Sequence, residues 1–164
     1  RQKAEARGED HRGPDQGDHV APDLIGGFST MQTLQPENIR LLLVDDEKSY
    51  VDVLANRLQR RKVQVTKAYS GAEGIQLLRR NDFDVAVLDL KMEDMDGIEV
   101  LRIFKKMAPE MAVIMLTGHG SATAAQQGIQ EGAFDYLTKP CELEDLLKKI
   151  AKAWAARRPP PAGG

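Results

Sequence analysis

Four short, largely apolar runs in this chain each end in polar residues of a different kind. The runs cover residues 39–44, 85–88, 112–116 and 134–138, and the residues that follow or end them are Asp45-Asp46-Glu47, Asp89, Thr117 and Lys139-Pro140. Helical patterns separate the runs, so the strands should be parallel, and right-handed crossovers bring their carboxyl ends to one edge of the sheet. We therefore expect three acids, one hydroxyl and one ammonium to converge in a single cleft.

Five strand patterns alternate with five helical patterns. Apolar residues at helical spacing predict helices over about 47–61, from 70 onward, and over about 97–107, 122–131 and 143–156. The second helix should begin with a capping box and bury Ala72. The fourth is predicted to be weak, because Gly128 lies inside it and Ala125 and Ile129 are its main apolar anchors.

Polar residues decide which strands lie at the edges of the sheet. Continuous apolar runs mark the first, third and fourth strands as buried on both faces. Polar residues interrupt 63–67 and 134–138, which should therefore be edge strands. A doubly wound α/β fold, with five βα units and a parallel sheet in the order 2-1-3-4-5, meets both conditions. It places Asp45, Asp46 and Asp89 side by side at the topological switch point.

Composition excludes several classes of protein. The chain has 164 residues, a net charge of −2 and one cysteine. This balance gives no electrostatic case for direct binding to nucleic acid or to an anionic membrane, and one cysteine cannot form an internal disulfide. No apolar stretch is long enough to span a bilayer. The sequence therefore predicts a soluble, cytoplasmic protein.

The two ends of the chain differ from its middle. Residues 1–38 combine glycines, prolines and scattered charges with few large apolar residues, so they bury too little to offset the entropy of ordering. We predict a disordered extension or expression remnant over 1–38, with Met31 as an alternative native start. A folded domain is predicted over 39–156 and a linker stub or tail over 157–164. We expect either a single-domain protein or part of a longer one.

Three carboxylates in one cleft repel one another unless a cation or a proton joins them. Mg²⁺ is the natural partner, because it prefers oxygen ligands, keeps several waters and needs only one or two carboxylates. An aspartate can also attack phosphorus, and phosphoryl transfer needs little beyond positioning and positive charge. Lys139 supplies such a charge and Thr117 a hydroxyl. The sequence shows no conspicuous base for water, which favours storing a phosphoryl group over hydrolysing it rapidly.

These residues resemble the receiver domains of two-component response regulators. The similarity covers about residues 39–156 and is carried by Val44-Asp45-Asp46-Glu47, Val87-Leu88-Asp89-Leu90-Lys91-Met92, Leu116-Thr117-Gly118-His119 and Ala133-Phe134-Asp135-Tyr136-Leu137-Thr138-Lys139-Pro140. It implies a flavodoxin-like fold and a signalling module rather than an enzyme. The third and fourth segments are most similar to receivers of enhancer-binding activators.

The resemblance also implies roles for the acids. Asp89 would accept a phosphoryl group from a sensor histidine kinase or a phosphotransfer protein. Asp46 and Asp89 would bind Mg²⁺ directly, together with the backbone carbonyl of Lys91, and Asp45 would act through water.

A route for the signal is implied as well. Thr117 and Tyr136 match the switch pair of the family, and Lys139 matches the lysine of its motif. Phosphorylation of Asp89 would draw Thr117 inward, Tyr136 would fill the vacated space, and the loosely held fourth helix would shift. We therefore expect the contact with a partner, or with a second copy in a homodimer, on helix 4, strand 5 and helix 5.

The chain departs from the common family pattern in two places. Glu93 stands four residues after Asp89, where the family often has proline, and Asp94 follows it. These acids are expected to place extra negative charge beside the metal. Cys141 follows Pro140, where an aromatic residue is common.

Other interpretations stay open at the level of sequence. The adjacent acids Asp45 and Asp46 could cap the first helix, and Tyr136 could be ordinary edge-strand packing. A flavodoxin-type cofactor binder shares this sheet, but acids after the first strand would repel a flavin phosphate. A phosphatase with an aspartate nucleophile needs a second acid two residues after Asp89, where this chain has Lys91. A receiver-like module that binds partners without phosphorylation is the remaining alternative.

Overall fold

The computed structural model describes residues 39–118 and 122–157. The predicted extension over 1–38, His119 and all but the first residue of the predicted tail lie outside these residues, so the domain boundaries stay predictions. Among the described residues, no helix has the length and apolar character that crossing a membrane requires.

Five parallel strands form the centre of the fold. They are β1 (Arg40–Val44), β2 (Gln64–Ala68), β3 (Val85–Asp89), β4 (Ala112–Thr117) and β5 (Asp135–Thr138). Their order is β2-β1-β3-β4-β5, which confirms the predicted topology. Every residue of β3 and β4 is buried, whereas β2 and β5 lie at the edges and are partly exposed. Polar interruptions identified the edges correctly, because an edge strand keeps part of its surface in water.

Five helices cover the two faces of this sheet. They are α1 (Lys48–Arg60), α2 (Gly71–Arg80), α3 (Gly97–Met107), α4 (Ala122–Gln130) and α5 (Leu143–Ala156). Side chains alternate across a strand, so Leu41 and Leu43 pack with α1 and α5, whereas Leu42 and Val44 pack with α2 and α3. The central strands are therefore apolar on both sides.

The register of the sheet brings the polar ends of the strands to one edge. Val44, the last residue of β1, pairs with Leu88 of β3. Asp89 pairs with Leu116, and Thr117 pairs with Thr138. The residues at or directly after these positions therefore lie together at the carboxyl edge of the sheet.

The start of α2 agrees with the predicted cap but differs in what it buries. The Ser70 hydroxyl accepts the Glu73 N–H at 3.0 Å. Ala72 is exposed, so the prediction of its burial is wrong. Gly74 lies on the buried face instead, where a Cβ would be 3.1 Å from a methyl carbon of Val44. The helix thus approaches β1 more closely than larger residues would allow.

The packing of α4 also differs from the prediction. Ile129 is 41% exposed, so it does not anchor the helix, whereas Ala125 is fully buried. Gly128 is buried as well, and a Cβ there would collide with the thioether of Met115, a residue that is itself 0% exposed. The glycine that lowers the helix propensity of α4 is therefore also what lets α4 lie against β4.

Candidate phosphoacceptor and metal site

Asp45 lies one residue beyond β1 and is 0% exposed. Its Oδ1 accepts the Glu47 N–H at 3.0 Å at the entry to α1, and its Oδ2 accepts a hydrogen bond from Lys139 Nζ at 2.5 Å. Its backbone N–H donates to the carbonyl of Ala68 at 3.1 Å. Asp45 therefore closes a turn with Glu47, the N-cap residue of α1, and contributes charge to the cleft, whereas no side-chain hydrogen bond from the described residues caps α1 itself.

Asp46 and Asp89 complete a group of three carboxylates. One ligand oxygen from each of Asp45, Asp46 and Asp89 lies within 4.8 Å of the others. Asp89 is only 5% exposed, whereas Asp46 is half-buried and opens the group to water. This all-oxygen donor set, wet on one side, fits Mg²⁺, which retains several of its waters.

The environment of Asp89 disfavours its charged form. Burial first, and the charge of Asp45 second, raise the pKa of Asp89 to about 6, although the charge of Lys139 and the Lys91 N–H act in the opposite direction. A cation bound at this position would remove much of that cost. The site therefore favours a positive ion beside Asp89.

Lys139 is the fixed cation of the site and follows β5 directly. Its backbone N–H donates to the carbonyl of Thr117 at 2.7 Å. Its Nζ lies 2.5 Å from Asp45 Oδ2, 3.6 Å from Asp89 Oδ1 and 3.8 Å from Glu47 Oε1. Burial would lower the pKa of Lys139, but the hydrogen bond to Asp45 and the nearby carboxylates raise it. Lys139 is thus charged at neutral pH.

Tyr50 contacts Lys139, a role that the sequence analysis missed. Its ring centroid lies 4.6 Å from Lys139 Nζ, and its hydroxyl lies 4.0 Å from Cys141 Sγ. An ammonium over an aromatic face is attracted by the ring quadrupole. The position of Tyr50 could have indicated this contact, because Tyr50 is in the first turn of α1, which starts at the cleft.

Thr117 and Tyr136 lie on the neighbouring strands β4 and β5 and differ in exposure. Thr117 is 2% exposed, and its hydroxyl donates to the carbonyl of Leu137 at 3.4 Å. Tyr136 pairs in register with Met115 and is 39% exposed. The structure thus brings Thr117 to the cleft edge and leaves Tyr136 at the surface.

Lys91 belongs to the loop between β3 and α3, which we call the β3–α3 loop (residues 90–96). Its N–H faces the Asp89 carboxylate, and its side chain is exposed. A β-bridge joins Lys91 to Asp96, and the Gly97 N–H donates to the carbonyl of Leu90 at 3.0 Å. Backbone contacts therefore fix the position from which the Lys91 carbonyl would act.

The role of Gly97 was not predicted from the sequence. A Cβ at this position would lie 2.5 Å from the Cα of Leu90 and 2.6 Å from the carbonyl oxygen of Asp89. Only glycine lets α3 start this close to the backbone of the phosphoacceptor candidate. The Asp96-Gly97 pair in the sequence could have indicated the start of a helix here. In the structure, Asp96 caps α3 by accepting the Ile98 N–H at 2.9 Å.

The Asp94 carboxylate makes a contact that was not predicted from the sequence, and its effect on the charge beside the metal stays a prediction. Its carboxylate accepts the N–H groups of Gly71 and Ala72 at the start of α2, at 3.1 and 3.0 Å. The neighbouring Glu93 gives its backbone N–H to Asp46 Oδ2 at 3.0 Å. Two adjacent residues of the β3–α3 loop thus contact two different parts of the fold.

Comparison with known proteins identifies the family to which this sequence is similar. A family model described as the response regulator receiver domain matches residues 41–151. The transcriptional regulatory protein GlrR of Escherichia coli (strain K12) is 41% identical over 113 residues, which are 69% of this chain and 26% of GlrR. The photosynthetic apparatus regulatory protein RegA of Rhodobacter capsulatus is 33% identical over 121 residues, which are 74% of this chain and 66% of RegA. The chain therefore spans only part of these regulators.

The architecture matches solved structures as well. The crystal structure of a response regulator receiver domain protein from Clostridium thermocellum is 37% identical and superposes with a TM-score of 0.69, covering 71% of this chain and 94% of that one. Receiver domains are signalling modules that sensor histidine kinases phosphorylate and that generally bind Mg²⁺ in an acidic pocket. On its matched segment, its sheet order and its relatives, this chain belongs to the family of response regulator receiver domains of two-component signalling.

Proposed function

We propose that this domain acquires a phosphoryl group on Asp89 in a Mg²⁺-dependent reaction and stores it there. The observation that carries the proposal is the convergence of Asp45, Asp46 and Asp89 within 4.8 Å, with Lys139 Nζ 3.6 Å from Asp89. Three acids beside one fixed cation suit a divalent ion and a transferred phosphoryl group together.

The hydrogen bonds support a division of labour among the acids. Both oxygens of Asp45 already accept hydrogen bonds, from the Glu47 N–H and from Lys139. Asp46 lies half-buried at the open side of the group. Asp46 and Asp89 would therefore hold Mg²⁺ directly with the Lys91 carbonyl, and Asp45 would act through water. The ion would supply positive charge to the phosphoryl oxygens.

Besides the acids that would hold the metal, the transfer step uses Lys139 and Thr117 of this chain. A carboxylate oxygen of Asp89 attacks the phosphorus of a phosphohistidine whose ring is protonated on its other nitrogen. The new P–O bond forms as the P–N bond breaks, and the ring leaves with the electron pair as neutral imidazole. Lys139 neutralises charge on the transferred group. The Thr117 hydroxyl, which donates to Leu137 in this state, becomes available to a phosphoryl oxygen if it rotates.

Local packing supports a switch that passes through α4. A cavity of about 420 Å³ lies between the β3–α3 loop and α4, and its lining includes Ile98, Ala124 and Gln127. Movement of Thr117 towards Asp89 would leave space for the Tyr136 ring, and α4 has room to follow. Reversing a strongly biased equilibrium in this way takes a differential affinity of about 5 kcal/mol.

The surface of α4, β5 and α5 is our proposed contact with an output partner or with a second copy in a homodimer. Ile129, Phe134 and Tyr136 are exposed apolar residues of this region, at 41%, 39% and 39%. The donor would be a sensor histidine kinase or phosphotransfer protein in the cytoplasm. Direct nucleic-acid binding by this domain is not part of the proposal, since the chain carries a net charge of −2.

Intact-mass spectrometry after incubation with acetyl phosphate and Mg²⁺ tests the proposed chemistry. One phosphoryl group should be added to the unsubstituted protein and none to Asp89→Asn. Asp82→Asn, which removes an exposed acid at the opposite end of β3, is the matched control and should be phosphorylated normally. Equal incorporation in Asp89→Asn contradicts the assignment, and no incorporation in any protein favours a phosphorylation-independent module.

Hydrogen exchange with and without beryllofluoride, a mimic of aspartyl phosphate, tests the proposed switch. Protection should change between Thr117 and Lys139 and along α4. Changes confined to α1 and α2 would show that the signal does not leave through this surface.

A further inference from the structure

Asp94 links the β3–α3 loop to a helix that is distant in sequence. Its Oδ1 accepts the Gly71 N–H at 3.1 Å and its Oδ2 accepts the Ala72 N–H at 3.0 Å, so both carboxylate oxygens bind the first turn of α2. Backbone N–H groups at a helix start lack partners within the helix and carry partial positive charge. These bonds hold the pKa of Asp94 below its usual range, against the opposing effect of burial.

The remainder of the α2 start is satisfied locally. Ser70 Oγ accepts the Glu73 N–H, and Glu73 Oε2 accepts the Tyr69 N–H, both at 3.0 Å. Two acids therefore serve the same helix start, but Glu73 lies within α2 whereas Asp94 comes from the β3–α3 loop. This difference separates a capping role from a linking role.

The same loop also reaches the carboxylate cluster. The Glu93 N–H donates to Asp46 Oδ2 at 3.0 Å, one residue before Asp94. On the other side of Asp94, Met95 packs on α2, since a Cβ at Gly71 would lie 3.3 Å from the Cβ of Met95. The segment 93–95 is thus held between the acids and α2.

We propose that Asp94 is a positioning residue of the metal site: by fastening the β3–α3 loop to the first turn of α2, it sets the loop backbone against Asp46 and couples Mg²⁺ binding to α2. This inference rests on the proposed function, because it presupposes that the cluster binds Mg²⁺. Coupling between two sites is reciprocal. Asp94 therefore strengthens Mg²⁺ binding, and bound Mg²⁺ stabilises the Asp94 bonds to α2.

Calorimetric titration with Mg²⁺ tests the first half of the coupling. Asp94→Ala should weaken Mg²⁺ binding by about fivefold, the lower end of ordinary coupling between sites. Asp94→Asn keeps one acceptor oxygen and should fall between Asp94→Ala and the unsubstituted protein. Glu73→Ala is the matched control: it removes an acid from the same helix start without releasing the loop, so its Mg²⁺ affinity should be unchanged.

Amide hydrogen exchange tests the second half. Mg²⁺ should slow exchange at Gly71 and Ala72 in the unsubstituted protein and in Glu73→Ala. In Asp94→Asn, which should fold even where Asp94→Ala does not, the effect at these amides should be clearly smaller.

The outcomes separate the two proposals. If the unsubstituted protein does not bind Mg²⁺, the proposed function and this inference both fail. If it binds Mg²⁺ and the Asp94 variants bind equally well, the inference alone is overturned and Asp94 is only a helix cap. Equal losses of Mg²⁺ affinity in the Asp94 and Glu73 variants would also overturn the inference, because general destabilisation of α2 would then be the cause.

Discussion

Lys139 is paired with Asp45 more closely than with Asp89, at 2.5 Å against 3.6 Å. The Lys139 ammonium therefore already neutralises the charge of one acid of the proposed metal site. A divalent cation that enters this cluster shares its carboxylates with the ammonium. Occupation by the ion should weaken the Asp45 pair and leave Lys139 freer to contact a group on Asp89.

Replacement of Lys139 by methionine keeps most of the aliphatic stem and removes the charge. We expect Mg²⁺ to bind several-fold more tightly to Lys139→Met, because a competing cation is gone. Phosphorylation by acetyl phosphate should slow by about 10-fold or more, since each 1.4 kcal/mol of lost transition-state stabilisation costs tenfold. Lys67→Met, which breaks a surface pair with Asp52, is the control. A parallel loss of Mg²⁺ affinity and rate in Lys139→Met would contradict competition.

Replacement of Asp89 by asparagine should stabilise the protein in the absence of metal. Burial and the charge of Asp45 raise the pKa of Asp89 to about 6, so ionisation at pH 7.5 destabilises the native state. We expect Asp89→Asn to increase the free energy of unfolding by about 1–3 kcal/mol in EDTA, given 1.36 kcal/mol for each pKa unit. Urea denaturation measures it. Mg²⁺ should reduce the difference in the free energy of unfolding between Asp89→Asn and the unsubstituted protein, because it stabilises the unsubstituted protein more.

Asp84 lies at the opposite end of β3, and its replacement by asparagine should destabilise the protein rather than stabilise it. It is 3% exposed and accepts hydrogen bonds from Arg40 Nη2 at 3.1 Å and from Arg157 Nη1 at 2.6 Å. Burial would raise the pKa of Asp84, but the bonds from Arg40 and the charge of Arg157 lower it. Asp84→Asn should therefore cost about 1–3 kcal/mol at neutral pH, the range for hydrogen bonds to charged groups.

The pH dependence of that cost follows from the direction of the shift. Because the native pKa of Asp84 lies below the ordinary value of 3.8, its stabilisation is complete above that value. It is lost as the pH falls through the native pKa. The difference between Asp84→Asn and the unsubstituted protein should thus be constant from about pH 5 to 8 and shrink below about pH 4. A stability difference between Asp84→Asn and the unsubstituted protein that grows on acidification would contradict this. Asp82→Asn is the control and should be as stable as the unsubstituted protein.

Gly128→Ala separates helix propensity from packing. Alanine favours a helix by about 0.5–1 kcal/mol over glycine, whereas overpacking a core costs about 1–3 kcal/mol. The new Cβ would meet the buried Met115, so we expect a net loss of about 1 kcal/mol in urea denaturation. A second substitution, Met115→Val, should recover part of it. Gly118→Ala is the control, because among the described residues no atom beyond its chain neighbours lies within 4 Å of the new Cβ. A more stable Gly128→Ala would show that propensity prevails.

The sheet order and the location of the cleft could be predicted from the residues alone. Strand burial follows directly from where polar residues interrupt a run, so the edge positions of β2 and β5 could be predicted. The placement of Asp45, Asp89, Thr117 and Lys139 then followed from parallel topology, because each residue stands at or after the carboxyl end of a strand. The assignment to a family also came from residues that are local in sequence.

The distances between separate elements could not be predicted, because they depend on how the whole chain packs. The contact of Asp94 with α2 joins residues more than twenty positions apart, and no local pattern specifies it. The burial of Gly128 against Met115 and the closeness of Gly97 to Asp89 depend on distances between helices and strands. Helical periodicity indicates which face is apolar, but it does not state how near that face lies to its neighbour. Ala72 and Ile129 were predicted as buried and are exposed, because the glycines Gly74 and Gly128 lie on the buried faces of their helices instead.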